Sequence, residues 1–139
     1  EKKSLKTFKE NLSLYFQKYS SELSEESQNK IYTNPLRILD SKNTKDIEIT
    51  KSAPKIFDFF SDEAKKRFDS FKNLLSDSSI VYEINPRLVR GLDYYCHTVF
   101  EFKTNDLGSQ DTLIGGGRYD GLTKILGGPD IPGVGWAGG

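Results

Sequence analysis

Apolar residues recur every three or four positions up to about residue 79 and every two positions from "IVYEI" (80–84) onward. The first spacing lines one side of a helix and the second lines one face of a strand, so the two stretches demand different backbones. A chain of 139 residues with this change of period is expected to divide near residue 80. The 12 glycines crowd the segment beyond residue 90, which marks the same division by composition. The class expected is α+β, a helical unit over 1–79 followed by a sheet-forming unit over 80–139.

Within the first stretch, Leu5, Phe8, Leu12, Tyr15 and Tyr19 predict an amphipathic helix. Ser24 is placed to cap a second helix in "SEESQNKIY", and Asn34-Pro35 closes that segment. "RILDSKNTKDIEI" is too mixed to assign. Ser61 predicts the cap of a third helix, with Asp62 and Glu63 in its first turn favourable against the helix dipole. Phe60, Ala64, Phe68, Phe71 and Leu75 would form its buried side. In the second stretch, Phe100 and Phe102 are expected on one strand face with Tyr94 and Thr98, and Glu101, Val99 and His97 on the other with Tyr95. "RYDGLTKIL" can hold one short helix.

Composition narrows the classes of function, although a local basic face can hide inside a neutral total. Lys and Arg number 20 and so do Asp and Glu, so no overall field attracts nucleic acid or an anionic membrane. No apolar run approaches the ~20 residues needed to cross a bilayer. The N-terminus lacks the apolar stretch of a signal peptide and the single cysteine, Cys96, has no intrachain partner, so a reducing compartment such as the cytosol is expected. The chain has no methionine and stops inside the glycine-punctuated "GVGWAGG", as expected of an internal piece of a longer protein.

Two stretches have the residue types of a binding site. In "RGLDYY", Arg90 offers a planar fork of donors suited to phosphate or carboxylate, Gly91 clears space beside it, and Tyr94 and Tyr95 combine apolar rings with hydroxyls. Both tyrosines can serve one pocket only if the backbone turns or bulges near Asp93. The plain alternative is the start of a strand in which Arg90 pairs with Asp93 and both rings merely pack. In "GGGRYDGL", Gly115, Gly116 and Gly117 allow positive φ and close approach of a ligand to backbone amides. The alternative there is a hairpin turn with Arg118 and Asp120 in a structural ion pair. The spacing fits neither a phosphate loop nor a dinucleotide fingerprint. No metal site is expected, because Cys96 lacks a spaced partner and its neighbour His97 should point to the opposite face of a strand. "KKRF" at 65–68 reads as a solvated helix face.

"NPLRILDSK", "YEINPRLVRGLDYYCHTVFEF" and "GGGRYDGL", in that order, resemble bacterial histidyl-tRNA synthetases, which are class II aminoacyl-tRNA synthetases. The resemblance runs along essentially the whole chain. It implies a helical insertion domain followed by part of a mostly antiparallel catalytic sheet. It implies activation of L-histidine with ATP and transfer of the histidyl group to tRNA(His), in a cytoplasmic homodimer with no membrane. Mg2+ is expected with ATP, its ligands lying outside this chain. By resemblance Arg90 contacts the α-phosphate and the histidine carboxylate region. Tyr94 and Tyr95 line the histidine pocket, Gly115, Gly116 and Gly117 its floor, and Asp93, Arg118 and Asp120 support it. The helical half is similar to the part that lies against the tRNA acceptor arm.

Two other identities are compatible with parts of the pattern. One is the synthetase-like regulatory subunit of ATP phosphoribosyltransferase, against which the full "RGLDYY" set and the long insertion argue. The other is a non-catalytic RNA-binding module over 1–79, which neutral composition makes weak. "GVGWAGG" resembles the approach to the third class-defining motif without its arginine, and the second motif would lie upstream. The 139-residue chain alone is therefore expected to make no adenylate, and pyrophosphate exchange above background by the purified chain would refute this.

Overall fold

The structure is a computed structural model, and it describes residues 1–92, 94–104 and 112–139. The chain forms two compact units, Glu1–Val89 and Arg90–Gly139. The division falls beyond the change of period because Val89 still packs against the core of the first unit.

Four helices build the first unit: α1 (Lys2–Lys18), α2 (Glu25–Gln28), α3 (Thr44–Lys51) and α4 (Asp62–Asp77), with 3-10 turns at Pro35–Ile38 and Ile56–Phe59. The stripe on α1 does what its spacing predicts. Phe8, Leu12 and Phe16 are buried at four-residue intervals and meet Leu23, Ile31, Ile38, Leu39 and Ala53. Half-buried Tyr15 donates its hydroxyl to the Ile49 carbonyl at 2.9 Å, tying α1 to α3. Ser24 and Ser61 cap α2 and α4 as expected, accepting from the amides of Ser27 and Ala64 at 3.3 and 3.1 Å.

Two expectations need correction here. Helix α3 begins within the stretch that periodicity leaves unassigned and runs two residues past it; Asn43 caps it, accepting from the Lys45 amide at 3.0 Å. The apolar side of α4 is turned inward as expected, but none of its residues is fully buried. Phe68 meets Phe57 and Phe60 at ring separations of 5.6 and 5.8 Å, so that face is covered by one short turn rather than by a second helix.

At the centre of this unit sits a charge. The Asp46 side chain is fully buried, and accepts from the Ser24 amide (2.8 Å) and from the hydroxyls of Ser24 (2.7 Å), Ser27 (2.7 Å) and Ser41 (2.6 Å). Burial by itself would raise its pKa. The four donors, led by the Ser24 amide, outweigh that and hold the carboxyl below its ordinary value.

The second unit is a three-stranded antiparallel sheet, β1 (Cys96–Lys103), β2 (Thr112–Arg118) and β3 (Val134–Gly138), in the order β1-β2-β3. Helix α5 (Leu122–Ile125) occupies the connection from β2 to β3, within "RYDGLTKIL" as expected. Helices plus an antiparallel sheet make the class α+β. The alternating stretch from residue 80 forms no strand before Cys96: it finds no ladder partner among the described residues, and Val81 is 99% exposed. No described helix is long and apolar enough to cross a membrane.

Because Asp46 has a depressed folded pKa, its contribution to stability is complete above the unfolded carboxylate value of about 3.9 and disappears as pH falls through the lower folded value. Urea unfolding followed by far-UV circular dichroism should show the helical unit losing stability below about pH 4. Asp46→Asn should lower its stability at neutral pH by about 3 kcal/mol, because three hydroxyls and an amide lose a charged acceptor.

Candidate active site

The fourth to sixth residues of β2 are glycines whose missing side chains decide the geometry of the sheet. Successive residues of a strand face opposite sides, so Gly115 and Gly117 share one face and Gly116 the other. A Cβ on Gly115 would lie 2.6 Å from both terminal nitrogens of Arg90, and one on Gly117 would lie 3.0 Å from the Tyr95 ring. Gly135 of β3 pairs with Gly117, and a Cβ there would strike the Tyr119 hydroxyl. Arg90, Tyr95 and Tyr119 therefore rest against bare backbone on the same face. On the other face a Cβ on Gly116 would meet Phe100 and Trp136 at 2.8 Å each. These three glycines are part of a strand, and none of them has positive φ. Their use is close approach, and the expected hairpin turn is not formed there.

Above that face the aromatic rings converge. Tyr94 and Tyr95 have centroids 4.7 Å apart, and Tyr119 meets them edge-on at 5.8 and 6.2 Å. Tyr94 is thus on the side of Tyr95, away from Phe100 and Phe102, which pair with each other at 5.9 Å. Regular alternation fails because Tyr94 occupies a turn and β1 begins only at Cys96. Burial, then hydrogen bonding with Tyr95, raises the Tyr94 pKa, while the positive charge of Arg90 pulls it down.

Arg90 takes Glu101 as its partner. Its Nη1 donates to Glu101 Oε1 at 2.7 Å, with side chains 28% and 14% exposed. The pairing follows from register, since Glu101 stands opposite Gly115 on the ladder. Thr112 donates to the other carboxylate oxygen at 3.3 Å, and Lys103 lies 3.7 Å from it. The Arg90 Nε is buried without a hydrogen-bond partner among the described residues. Asp93, expected as a supporting residue or as the partner of Arg90, lies outside the described residues.

Arg118 and Asp120 form the anticipated ion pair, Nε to Oδ2 at 2.7 Å. The Gly133 amide donates to Asp120 Oδ1 at 3.1 Å. The hydrogen bond from Arg118, then the Gly133 amide, and the field of His97 hold the Asp120 carboxyl below the usual range.

Cys96 and His97 depart from expectation. The ladder pairs Cys96 with Arg118 and Val99 with Gly117, leaving two residues of β1 without counterparts. His97 has φ 56°, in the left-handed region. This bulge cancels the alternation that should separate the two side chains. Cys96 Sγ, a ring nitrogen of His97 and a carboxylate oxygen of Asp120 all lie within 4.8 Å of one another.

Glu101 and Tyr119 escaped the sequence reading. Glu101 was on the predicted face of Tyr95, and an arginine over a sheet needs a carboxylate from that face. Tyr119 stood inside "RYDG" between two residues already singled out.

Gly115→Ala should push the guanidinium of Arg90 off the sheet and break its bond to Glu101, whereas Leu126→Ala, at an exposed position, should leave both in place. Nitrogen-resolved NMR of the arginine side chains would register the first as loss of the slowly exchanging Arg90 Nη signal, and an unaltered signal would contradict this packing.

The sequence profile of the family described as histidyl-tRNA synthetase matches residues 17–138. A histidine–tRNA ligase of Rippkaea orientalis is 55% identical over 130 residues, which are 94% of this chain and 30% of that protein. A histidine–tRNA ligase of Anaplasma marginale is 55% identical over 132 residues, 95% of this chain and 31% of the relative. The crystal structure of apo S. aureus histidyl-tRNA synthetase superposes with a TM-score of 0.66 at 36% identity, covering 96% of this chain and 32% of that one. The chain thus spans about a third of the length of the proteins it matches. With a profile match over most of its length, it belongs to the histidyl-tRNA synthetase family.

Proposed function

We propose that this chain is part of a histidine–tRNA ligase, with 1–79 as the helical insertion domain and 80–139 as part of the catalytic domain. The intact enzyme activates L-histidine with ATP and passes the histidyl group to tRNA(His). The observation that carries this reading is the gathering of Arg90, Tyr94 and Tyr95 over the bare face formed by Gly115 and Gly117, in a chain of this family.

In the first step a histidine carboxylate oxygen attacks the α-phosphorus of ATP, and pyrophosphate leaves with the electrons of the broken P–O bond. Negative charge accumulates on the oxygens of the five-coordinate phosphorus. Arg90, anchored at Nη1 by Glu101, supplies a positive charge whose direction is set before the substrates arrive. Such a charge favours the transition state over the ground state, because no dipole has to reorient during the reaction. Gly115 permits the guanidinium to lie this close to the backbone, and Gly117 does the same for Tyr95.

The tyrosines supply selectivity. Their hydroxyls can hydrogen-bond an imidazole nitrogen, and a side chain without that nitrogen would strand a half-buried polar group. Arg118 and Asp120 support the floor by joining the end of β2 to the backbone at Gly133. The helical unit is assigned to the acceptor arm of tRNA(His), and the intact protein to a cytoplasmic homodimer.

ATP is a substrate and Mg2+ its expected companion. Two cations, Arg90 and Lys103, already face Glu101 and repel a further one, so this carboxylate does not fit an Mg2+ site.

In the full-length enzyme, Arg90→Ala should slow histidine-dependent pyrophosphate exchange by ~100-fold or more while changing the histidine Michaelis constant far less. Equal losses in both would contradict a role confined to the transition state. Tyr95→Phe should mainly raise the Michaelis constant for histidine, and an unchanged value would remove that tyrosine from the pocket.

A further inference from the structure

The bulge at the start of β1 assembles three different ligand types at one place. Cys96 offers a thiolate, His97 an imidazole nitrogen and Asp120 a carboxylate oxygen, mutually within 4.8 Å. Around a four-coordinate zinc ion with bonds of about 2.0–2.3 Å, ligand atoms lie roughly 3–4 Å apart, so small side-chain rotations close the set. We propose that Cys96, His97 and Asp120 form a binding site for a divalent ion of the zinc class, with three protein ligands and a fourth position open to solvent.

Three features of the chain favour this over accidental proximity. His97 is held at φ 56°, a left-handed conformation that costs a non-glycine residue about 1–2 kcal/mol. A regular strand would have avoided that cost by sending His97 to the opposite face. Asp120 is already oriented: Arg118 Nε fixes one carboxylate oxygen at 2.7 Å and the Gly133 amide fixes the other at 3.1 Å. Ligating carboxylates are commonly held by such outer partners, which leave lone pairs for the metal. The Asp120 amide also donates to Cys96 Sγ at 3.3 Å, which holds the sulfur beside the carboxylate.

Ligand chemistry selects the ion. A thiolate with an imidazole suits zinc, cobalt or iron(II), whereas magnesium and calcium prefer oxygen donors throughout. The thiol gives up its proton on binding, so thiolate, carboxylate and the Arg118 guanidinium together set one net negative charge against the divalent ion. His97 is exposed and Cys96 and Asp120 are half-buried, which leaves an approach from solvent. Cys96 directly follows Tyr95 and Asp120 directly follows Tyr119. An ion bound here would clamp the two segments that bear those rings. Binding itself does not depend on what the tyrosine pocket accepts.

The test is a titration of the reduced, chelator-stripped protein with Co2+, read by absorbance, followed by Zn2+ competition. A thiolate-to-cobalt charge-transfer band should grow to one equivalent with micromolar or tighter affinity, together with visible bands of a four-coordinate ion, and Zn2+ should erase both. Cys96→Ser should abolish the charge-transfer band. His97→Asn, chosen because asparagine tolerates the left-handed conformation, should weaken binding at least tenfold while circular dichroism stays unchanged. Arg118→Gln should weaken it by ~10-fold through the loosened carboxylate. Millimolar affinity in the parent, a spectrum shared by parent and Cys96→Ser, or undiminished affinity in His97→Asn would each overturn the site.

Discussion

A sheet with no Cβ atoms across part of one face is the constraint on which the second unit depends. At Gly115, Gly117 and Gly135, backbone is the surface that Arg90, Tyr95 and Tyr119 touch. Glycine within a strand costs roughly 0.5–1 kcal/mol against alanine and contributes no side-chain packing. The rings above offset part of this, since each favourable aromatic pair adds about 0.5–1.5 kcal/mol beyond burial. Among the described residues of this unit, only Gly115, Gly116 and Gly117 are buried. The sheet is therefore held by its ladders and by the layer of rings and ion pairs, with no aliphatic core beneath. Trp136, 68% exposed, shows how little apolar cover its other face has in this chain.

The helical unit solves the opposite problem. It has an aliphatic and aromatic core and places one carboxylate in its middle. An ionised Asp46 without a counter-cation would be expensive to bury, and it survives because each oxygen receives donors directed at it. Those donors come from three separate places in the sequence: the cap of α2, the residue three positions on, and Ser41 ahead of α3. The charge thus fixes how the connections between helices fold, in addition to any stability it adds.

What the sequence revealed follows from which interactions are local. The stripe of α1 and the caps Ser24 and Ser61 depend on residues a few positions apart, so spacing exposed them. Helix α3 stayed hidden because its turns bear only Ile47 and Ile49 as apolar markers and its inward anchor is a charged Asp46, which reads as surface. Arg90, both tyrosines and the glycines were legible as a site through their residue types and the family resemblance. Glu101 was not, because pairing Arg90 with a residue eleven positions along requires the β1–β2 register. The incomplete burial of α4 was equally out of reach, since periodicity tells which side faces inward and not what covers it.

The one local rule that failed did so at the place with the most chemistry. Alternation along a strand would have separated Tyr94 from Tyr95, and Cys96 from His97. A turn at Tyr94 and the bulge at His97 undo both separations within four residues. Left-handed backbone at a histidine persists only where surrounding structure over-determines it. Here the ladder from Val99 to Phe102 holds one side, and the Asp120 amide on Cys96 Sγ holds the other. Relaxing the distortion would return regular pairing to the start of β1, but it would turn Tyr94 away from the glycine face and His97 away from Cys96. Irregularity in this short stretch is thus the means by which consecutive polar side chains are brought together, Tyr94 with Tyr95 and Cys96 with His97.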